Sequence, residues 1–276
     1  MKRPARPILL TFALTLAATA PAQAAQPAQA FPAPDRRVAD IVSPIWATEA
    51  DRDRAGEPAQ LVRALGIRAG MTVADIGAGS GYHTIRLSPV VGPAGRVIAQ
   101  DVMESYLSGL RAEIARRKLN NVEVVLGGPA DPNLPRASVD RAILVHMYHE
   151  IAQPYGLLWN LTDALKPGAR VGVVDLDRET QNHGTPPALL KCEFEAVGYR
   201  QVSFAELQGG VGYLAVFTPP GPGARPAPGA IRPCKLGRYA AASAPHAAGW
   251  RLASMAPSRR RSSMGLPTTS SMPAAR

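Results

Sequence analysis

The chain has 276 residues, two cysteines and a formal net charge of +10. That length suits one ordinary domain with additions. Two cysteines exclude a disulfide-framework fold, and no Cys/His spacing fits a zinc finger. The charge invites a nucleic-acid or anionic-membrane partner, but its location removes that reading. Residues 1–34 carry +3, residues 219–276 carry +9 without a single acid, and residues 35–218 carry −2.

Lys2, Arg3 and Arg6 precede an apolar run from Ile8 to about Ala20, and Ala22-Gln23-Ala24 offers small residues for cleavage. This is the three-part layout of a secretory signal peptide over 1–24. The run is shorter than the ~20 apolar residues of a membrane span. An exported, periplasmic protein with no stable membrane anchor after cleavage is expected. Residues 25–34 read as a flexible linker. Residues 35–69 read as an amphipathic helical cap broken at Pro44 and near Gly56, with Glu57-Pro58 opening a short helix that Gly66 closes.

From residue 70 to 218 short apolar runs alternate with helical patterns. Strands are expected at Met71–Ile76, Arg96–Asp101, Val122–Leu126, Val139–His146 and Ala169–Asp175. Helices are expected at Tyr82–Val91, Met103–Lys118 and Gln153–Leu165. A further helix begins at Pro186-Pro187 with Thr185 as its cap. Strand–helix alternation means a parallel sheet with right-handed crossovers. Tyr199–Leu207 and Gly212–Phe217 then follow each other across a short glycine turn, which makes them an antiparallel pair. The fold class is α/β, a doubly wound, Rossmann-like, mostly parallel seven-stranded sheet ending in a hairpin.

The first strand and its loop read Val73-Ala74-Asp75-Ile76-Gly77-Ala78-Gly79-Ser80-Gly81. Glycines here let the backbone turn sharply and approach a ligand, and the next helix presents free N–H groups. The dinucleotide fingerprint G-x-G-x-x-G fails, because its third glycine position is Tyr82. The spacing is G-x-G-x-G, with Asp75 two residues ahead and a second acid, Asp101, ending the second strand. An acid at that strand end can accept both ribose hydroxyls of an adenosine ligand. Two carboxylates also suit a cationic ligand better than a pyrophosphate.

At these residues the chain resembles the class I S-adenosylmethionine-dependent methyltransferases. The likeness extends to the terminal hairpin and to the Leu165-Lys166-Pro167-Gly168 turn before the fifth strand. The Gly81-Tyr82-His83-Thr84 stretch is similar to exported bacterial members of unassigned substrate. The resemblance implies S-adenosylmethionine as cofactor. Asp75, Gly77, Ala78, Gly79, Gly81 and Tyr82 would hold its methionine part, and Asp101 with Val102 its ribose. Asp131 is a candidate for the adenine, with the backbone at Pro129-Ala130 as the alternative. His146 borders the same site.

Ligands of open α/β sheets bind beyond the carboxyl ends of the strands. The fourth strand ends in His146-Met147-Tyr148-His149-Glu150, and the fifth in Asp175-Leu176-Asp177, with His183 following. Methyl transfer to an oxygen needs alignment and removal of a proton, for which histidine is the usual side chain. His146 or His149 is expected as base and Tyr148 as a substrate contact. No metal is expected, since His146, His149, Glu150, Asp177 and His183 come from different strand ends without a close-spaced pair on one helix. Cys192, in the helix after Thr185, is expected as a buried thiol, with Cys234 in the tail as its only possible intrachain partner. Residues 219–276, with ten prolines and thirteen alanines, read as a disordered basic tail.

The expected activity is methyl transfer to a small or medium-sized organic acceptor, at oxygen. The slightly acidic domain suits no specific nucleic acid, and oligomeric state is not legible. The alternatives are a non-catalytic cofactor-binding module and an isoaspartyl protein-repair methyltransferase.

Overall fold

The computed structural model describes residues 24–41, 49–221 and 223–235. Residues 1–23, with nearly all of the expected signal peptide, and 236–276, with the triple arginine, lie outside them. So does Pro44. Among the described residues, no helix is long and apolar enough to cross a membrane.

Seven strands form one sheet: β1 Thr72–Ile76, β2 Arg96–Asp101, β3 Val122–Leu126, β4 Val139–Val145, β5 Leu165–Asp175, β6 Arg200–Glu206 and β7 Tyr213–Thr218. Their order is β3-β2-β1-β4-β5-β7-β6. The first five run parallel, and β7 pairs antiparallel with both β5 and β6, as the short turn before it requires. Alternation along each central strand feeds two cores. Ala74, Ile76, Ala142 and Leu144 join one, and Val73 and Ile143 the other.

Helices cover both faces: α1 Glu49–Ala55, α2 Glu57–Leu65, α3 Tyr82–Val91, α4 Glu104–Arg117, α5 Pro154–Ala164 and α6 Pro187–Ala196. Leu61 and Leu65 of α2 pack with Leu87 and Val91 of α3 in one core. Leu158 and Leu161 of α5 pack with Leu190 and Phe194 of α6 in the other. Glycine in the left-handed region at Gly56 and Gly66 brackets α2. Thr185 does not cap α6. Its hydroxyl donates to Asp175 Oδ2 at 2.7 Å, and Pro186 takes the capping position.

Both flanking segments depart from the sequence reading. Residues 25–34 are not a free linker. Asn160 accepts from the Gln26 backbone N–H and donates back to the Gln26 carbonyl, each at 2.9 Å. Phe31 is buried, its ring centroid 5.7 Å from that of Trp159. Residues 35–41 form no helix, and Arg36 is drawn into the core by Glu193 at 2.9 Å. The first part of the basic tail is ordered too. The Arg225 guanidinium lies 3.4 Å from the Trp159 ring centroid. The Trp159 indole N–H donates to the Pro226 carbonyl at 2.9 Å, and Cys234 is disulfide-bonded to Cys192. Trp159 thus holds Phe31 of one flanking segment and Arg225 and Pro226 of the other against α5, through long-range contacts that no local pattern reveals.

Candidate active site

The chain leaves β1 toward β2 on one side, and β4 lies on the other. Loops after β1 and β4 therefore diverge and open a crevice at the carboxyl edge of the sheet, where ligands of open α/β folds bind. A cavity of about 290 Å³ occupies that crevice.

One wall is the glycine loop. Gly77, Ala78 and Gly79 line the cavity, and Gly77 and Gly79 have positive φ. A Cβ on Gly77 would lie 2.7 Å from the Met147 side chain, so only glycine keeps this wall open. Gly81 does not line the cavity. It starts α3 at φ 87°, and a Cβ there would lie 2.2 Å from Leu110. Tyr82 does line it, and its hydroxyl donates to Asp53 at 2.9 Å. The Arg52 and Arg86 guanidiniums lie 3.6 and 3.8 Å from the Tyr82 ring centroid, an arrangement that stiffens this wall.

Two carboxylates border the loop. Asp75 is buried and accepts the Thr84 hydroxyl at 2.6 Å. Burial raises its pKa above the usual value, only partly offset by the nearby His83 and the Thr84 hydroxyl. A cationic ligand would add positive charge beside this carboxylate and favour its ionised form. Asp101 ends β2. Its Oδ2 accepts the Gly79 N–H at 2.8 Å and its Oδ1 the Met103 N–H at 2.9 Å. Each oxygen keeps a further lone pair, and Asp101 lines the cavity with Val102. Asp131 does not. Its carboxylate accepts the Asn133 N–H at 2.9 Å, and its carbonyl accepts the Gly128 N–H at 2.7 Å. Gly128 and Pro129 form that part of the wall, so backbone replaces the expected side chain.

The opposite wall comes from the segment after β4. His146 and Met147 line the cavity. The His146 N–H donates to the Val174 carbonyl at 2.8 Å, fixing the residue at φ 53°. Its Nε2 lies 2.7 Å from Glu57 Oε2. Tyr148 and His149 turn away. Tyr148 is wholly buried beside Phe194, with ring centroids 5.6 Å apart. His149 is buried against the Asp175 carboxylate at 3.1 Å. A 3-10 turn at Tyr148–Glu150 follows the strand directly and leaves both side chains buried outside the cavity lining. The expected roles of Tyr148 as substrate contact and His149 as base do not survive this placement.

In sequence, Glu57 marks only the start of a helix. It is fully buried, with Oε1 2.9 Å from His83 Nε2 and 3.3 Å from Arg52 Nη2. Burial alone would raise its pKa. Hydrogen bonds from His146 and His83 more than reverse this and hold the carboxyl well below the usual carboxylate range. An ionised Glu57 therefore takes Nε2–H of His146 as donor, and Nδ1 is left as the basic nitrogen. His146 Nδ1 is buried with no partner. No signal in the sequence links residues 57, 83 and 146.

Residues 73–168 match a family of methyltransferase domains. A methyltransferase from Aquifex aeolicus, described as S-adenosylmethionine-dependent, superposes with a TM-score of 0.52 at 28% identity, over 58% of this chain and 88% of its own. The fold is that of the S-adenosylmethionine-dependent methyltransferases. A Haloferax volcanii putative methyltransferase, solved with its Trm112 activator, shares the fold at 19% identity and a TM-score of 0.53, over 63% of this chain and 93% of that one. The protein-L-isoaspartate O-methyltransferase of Methanothrix thermoacetophila is 29% identical over 43% of this chain and 57% of its own length. The ubiquinone/menaquinone biosynthesis C-methyltransferase of Pseudomonas fluorescens is 28% identical over 49% and 50%. The chain spans about half the length of these curated relatives.

The matched methyltransferase domain implies S-adenosylmethionine as the cofactor. The cavity fits it: an open glycine wall, a buried carboxylate whose desolvation is only partly offset by nearby groups, and a second carboxylate at the end of β2 with free lone pairs. Asp75 and Gly77–Gly79 would hold the amino-acid part, and Asp101 the ribose.

Proposed function

We propose that the chain transfers a methyl group from S-adenosylmethionine to an oxygen of a small or medium-sized organic acceptor. The observation that carries this reading is the Glu57–His146 pair, with His146 on the cavity wall and the buried Glu57 carboxylate behind it. S-adenosylmethionine supplies, when bound, an electrophilic methyl on a sulfonium. Asp75 binds and orients the cationic end, and Asp101 the ribose. His146 Nδ1 accepts the acceptor's proton while Glu57 stabilises the imidazolium through Nε2. Apolar side chains such as Met147 and Leu157 line the same cavity and keep water from it.

The destination belongs to the same proposal. The N-terminal layout supports export, and the Cys192–Cys234 disulfide supports an oxidising compartment. The near-neutral charge of residues 35–218 supports a small-molecule partner.

Titration calorimetry of the full chain with S-adenosylmethionine tests cofactor binding, and release of S-adenosylhomocysteine across a panel of hydroxyl, phenol and carboxylate acceptors tests transfer. Absence of binding at millimolar cofactor, with the fold intact, would overturn the reading. Binding without turnover on any acceptor would favour a cofactor-binding module. Methylation of an isoaspartyl peptide, or at carbon, would replace the small-molecule oxygen acceptor.

A further inference from the structure

Beside the cavity, two 3-10 turns bring together three side chains that the transfer reaction does not use. His149 and Glu150 belong to the turn Tyr148–Glu150, and His183 closes the turn Thr180–Asn182. One ligand-type atom from each lies within 4.8 Å of the others. We infer that His149, Glu150 and His183 bind one divalent transition-metal ion of the zinc type.

His149 is prepared for a metal by its other nitrogen. Nδ1 lies 3.1 Å from both oxygens of Asp175, so Nδ1 carries the proton and Nε2 presents a lone pair. Asp175 is fully buried and accepts the Thr185 hydroxyl at 2.7 Å and the Leu176 N–H at 2.8 Å. A carboxylate held this firmly behind a ligating imidazole is the outer shell that orients histidine ligands and raises their basicity. Nothing in methyl transfer requires it.

His183 supplies an independent observation. Its Nδ1 is buried and has no hydrogen-bond partner, an arrangement that costs free energy unless something fills it. The residue is held at φ 55°, its N–H bonded to the Thr180 carbonyl at 3.2 Å. That conformation sets the imidazole edge-on to His149, with ring centroids 5.4 Å apart. Glu150 Oε1 lies 4.0 Å from His149 Nε2. Ligand atoms of a tetrahedral zinc ion, bonded at about 2.0–2.1 Å, sit about 3.4 Å apart. The inferred ion would draw the three ligand atoms, now within 4.8 Å of one another, to that spacing. Two imidazoles and one carboxylate form a set that leaves a coordination position open. Glu150 also lines the cavity, so the ion would stand at the cavity wall.

The test uses tag-free full-length protein, stripped with a chelator and dialysed against Zn²⁺. Metal content is read by mass spectrometry, affinity by competition with a chromogenic chelator, and the ligand set by X-ray absorption. One zinc per chain is expected, with two imidazoles and an oxygen in its shell. His183→Ala, on a partly exposed turn, is expected to weaken binding at least about 100-fold. Asp175→Asn is expected to weaken it about 10–100-fold, and Asp177→Asn to leave it unchanged. A stripped protein that retains no zinc, a shell without two imidazoles, or an unchanged affinity in folded His183→Ala would overturn the inference. The absorption spectrum of the unmodified protein decides the ligand set even if a variant fails to fold.

Discussion

Glu57 Oε2 and His146 Nε2 lie 2.7 Å apart, joining the first turn of α2 to the loop after β4 across 89 residues of sequence. The carboxylate is wholly buried, so this contact is protected from solvent screening and sets the imidazole's tautomer. If His146 Nδ1 is the base, His146→Ala should lower kcat by about 10²–10⁴-fold while leaving S-adenosylmethionine affinity largely unchanged. Glu57→Gln should lower kcat less, because the imidazole remains but loses its ionised partner. Steady-state kinetics beside calorimetry separates the two effects. Equal losses of cofactor affinity and turnover in His146→Ala would mean that the residue shapes the pocket instead.

Asp101 ties the glycine loop to the end of β2 through the Gly79 N–H. Asp101→Ala removes that link together with two candidate acceptors for the ribose. Cofactor affinity should fall at least about tenfold, or about 1.4 kcal/mol, as read by calorimetry. An unchanged Kd would show that the ribose is held elsewhere. Asp131→Ala is the matching control, since its carboxylate serves the Asn133 turn, and the Kd should not move.

Glu57 also predicts a pH dependence of stability. Its folded pKa lies below the ordinary value of 4.5. A group depressed on folding contributes stability that is present above its unfolded pKa and lost as pH falls toward the folded one. Stability should therefore drop below about pH 4.5, with a slope from this group of up to about 1.4 kcal/mol per pH unit. Urea denaturation at a series of pH values, compared with Glu57→Gln, isolates the contribution. The same slope in both proteins would assign the acid sensitivity to other carboxyls.

The Cys192–Cys234 bond closes a loop across 42 residues of separation. Opening it frees the strap carrying Arg225, Pro226 and Cys234. The chain-entropy estimate for a loop of this length puts the loss at about 4 kcal/mol. A paired Cys192→Ser, Cys234→Ser variant should show it as a lower denaturation midpoint, and reductant should lower the midpoint of the parent but not of the variant. An equal midpoint in parent and variant would mean that the Trp159 contacts hold the strap unaided.

The parallel strands, the terminal hairpin and the Asp75–Gly81 loop were legible because each rests on local regularities. Apolar runs mark doubly covered strands, a short glycine turn forces antiparallel pairing, and a glycine loop needs positive φ. Asp101 was legible for the same reason, since a strand end points at the crevice. His146, Tyr148 and His149 show where that logic stops. All three follow β4, yet the 3-10 turn at Tyr148–Glu150 leaves His146 on the cavity and buries the other two. Spacing along a strand cannot register a turn that depends on Arg36 donating to the Tyr148 and His149 carbonyls from a segment more than a hundred residues away.

The sequence by itself determined the parallel strands, the terminal hairpin and the acid–glycine loop, and it located the excess charge at the two ends. Only the tertiary structure decided what sits opposite that loop. Glu57 reaches His146, His149 meets Asp175 and His183, and Trp159 gathers both flanking segments. Each of these is a pairing of buried polar or aromatic groups from distant segments. Its energy comes from desolvation and from geometry that exists only once the sheet has assembled.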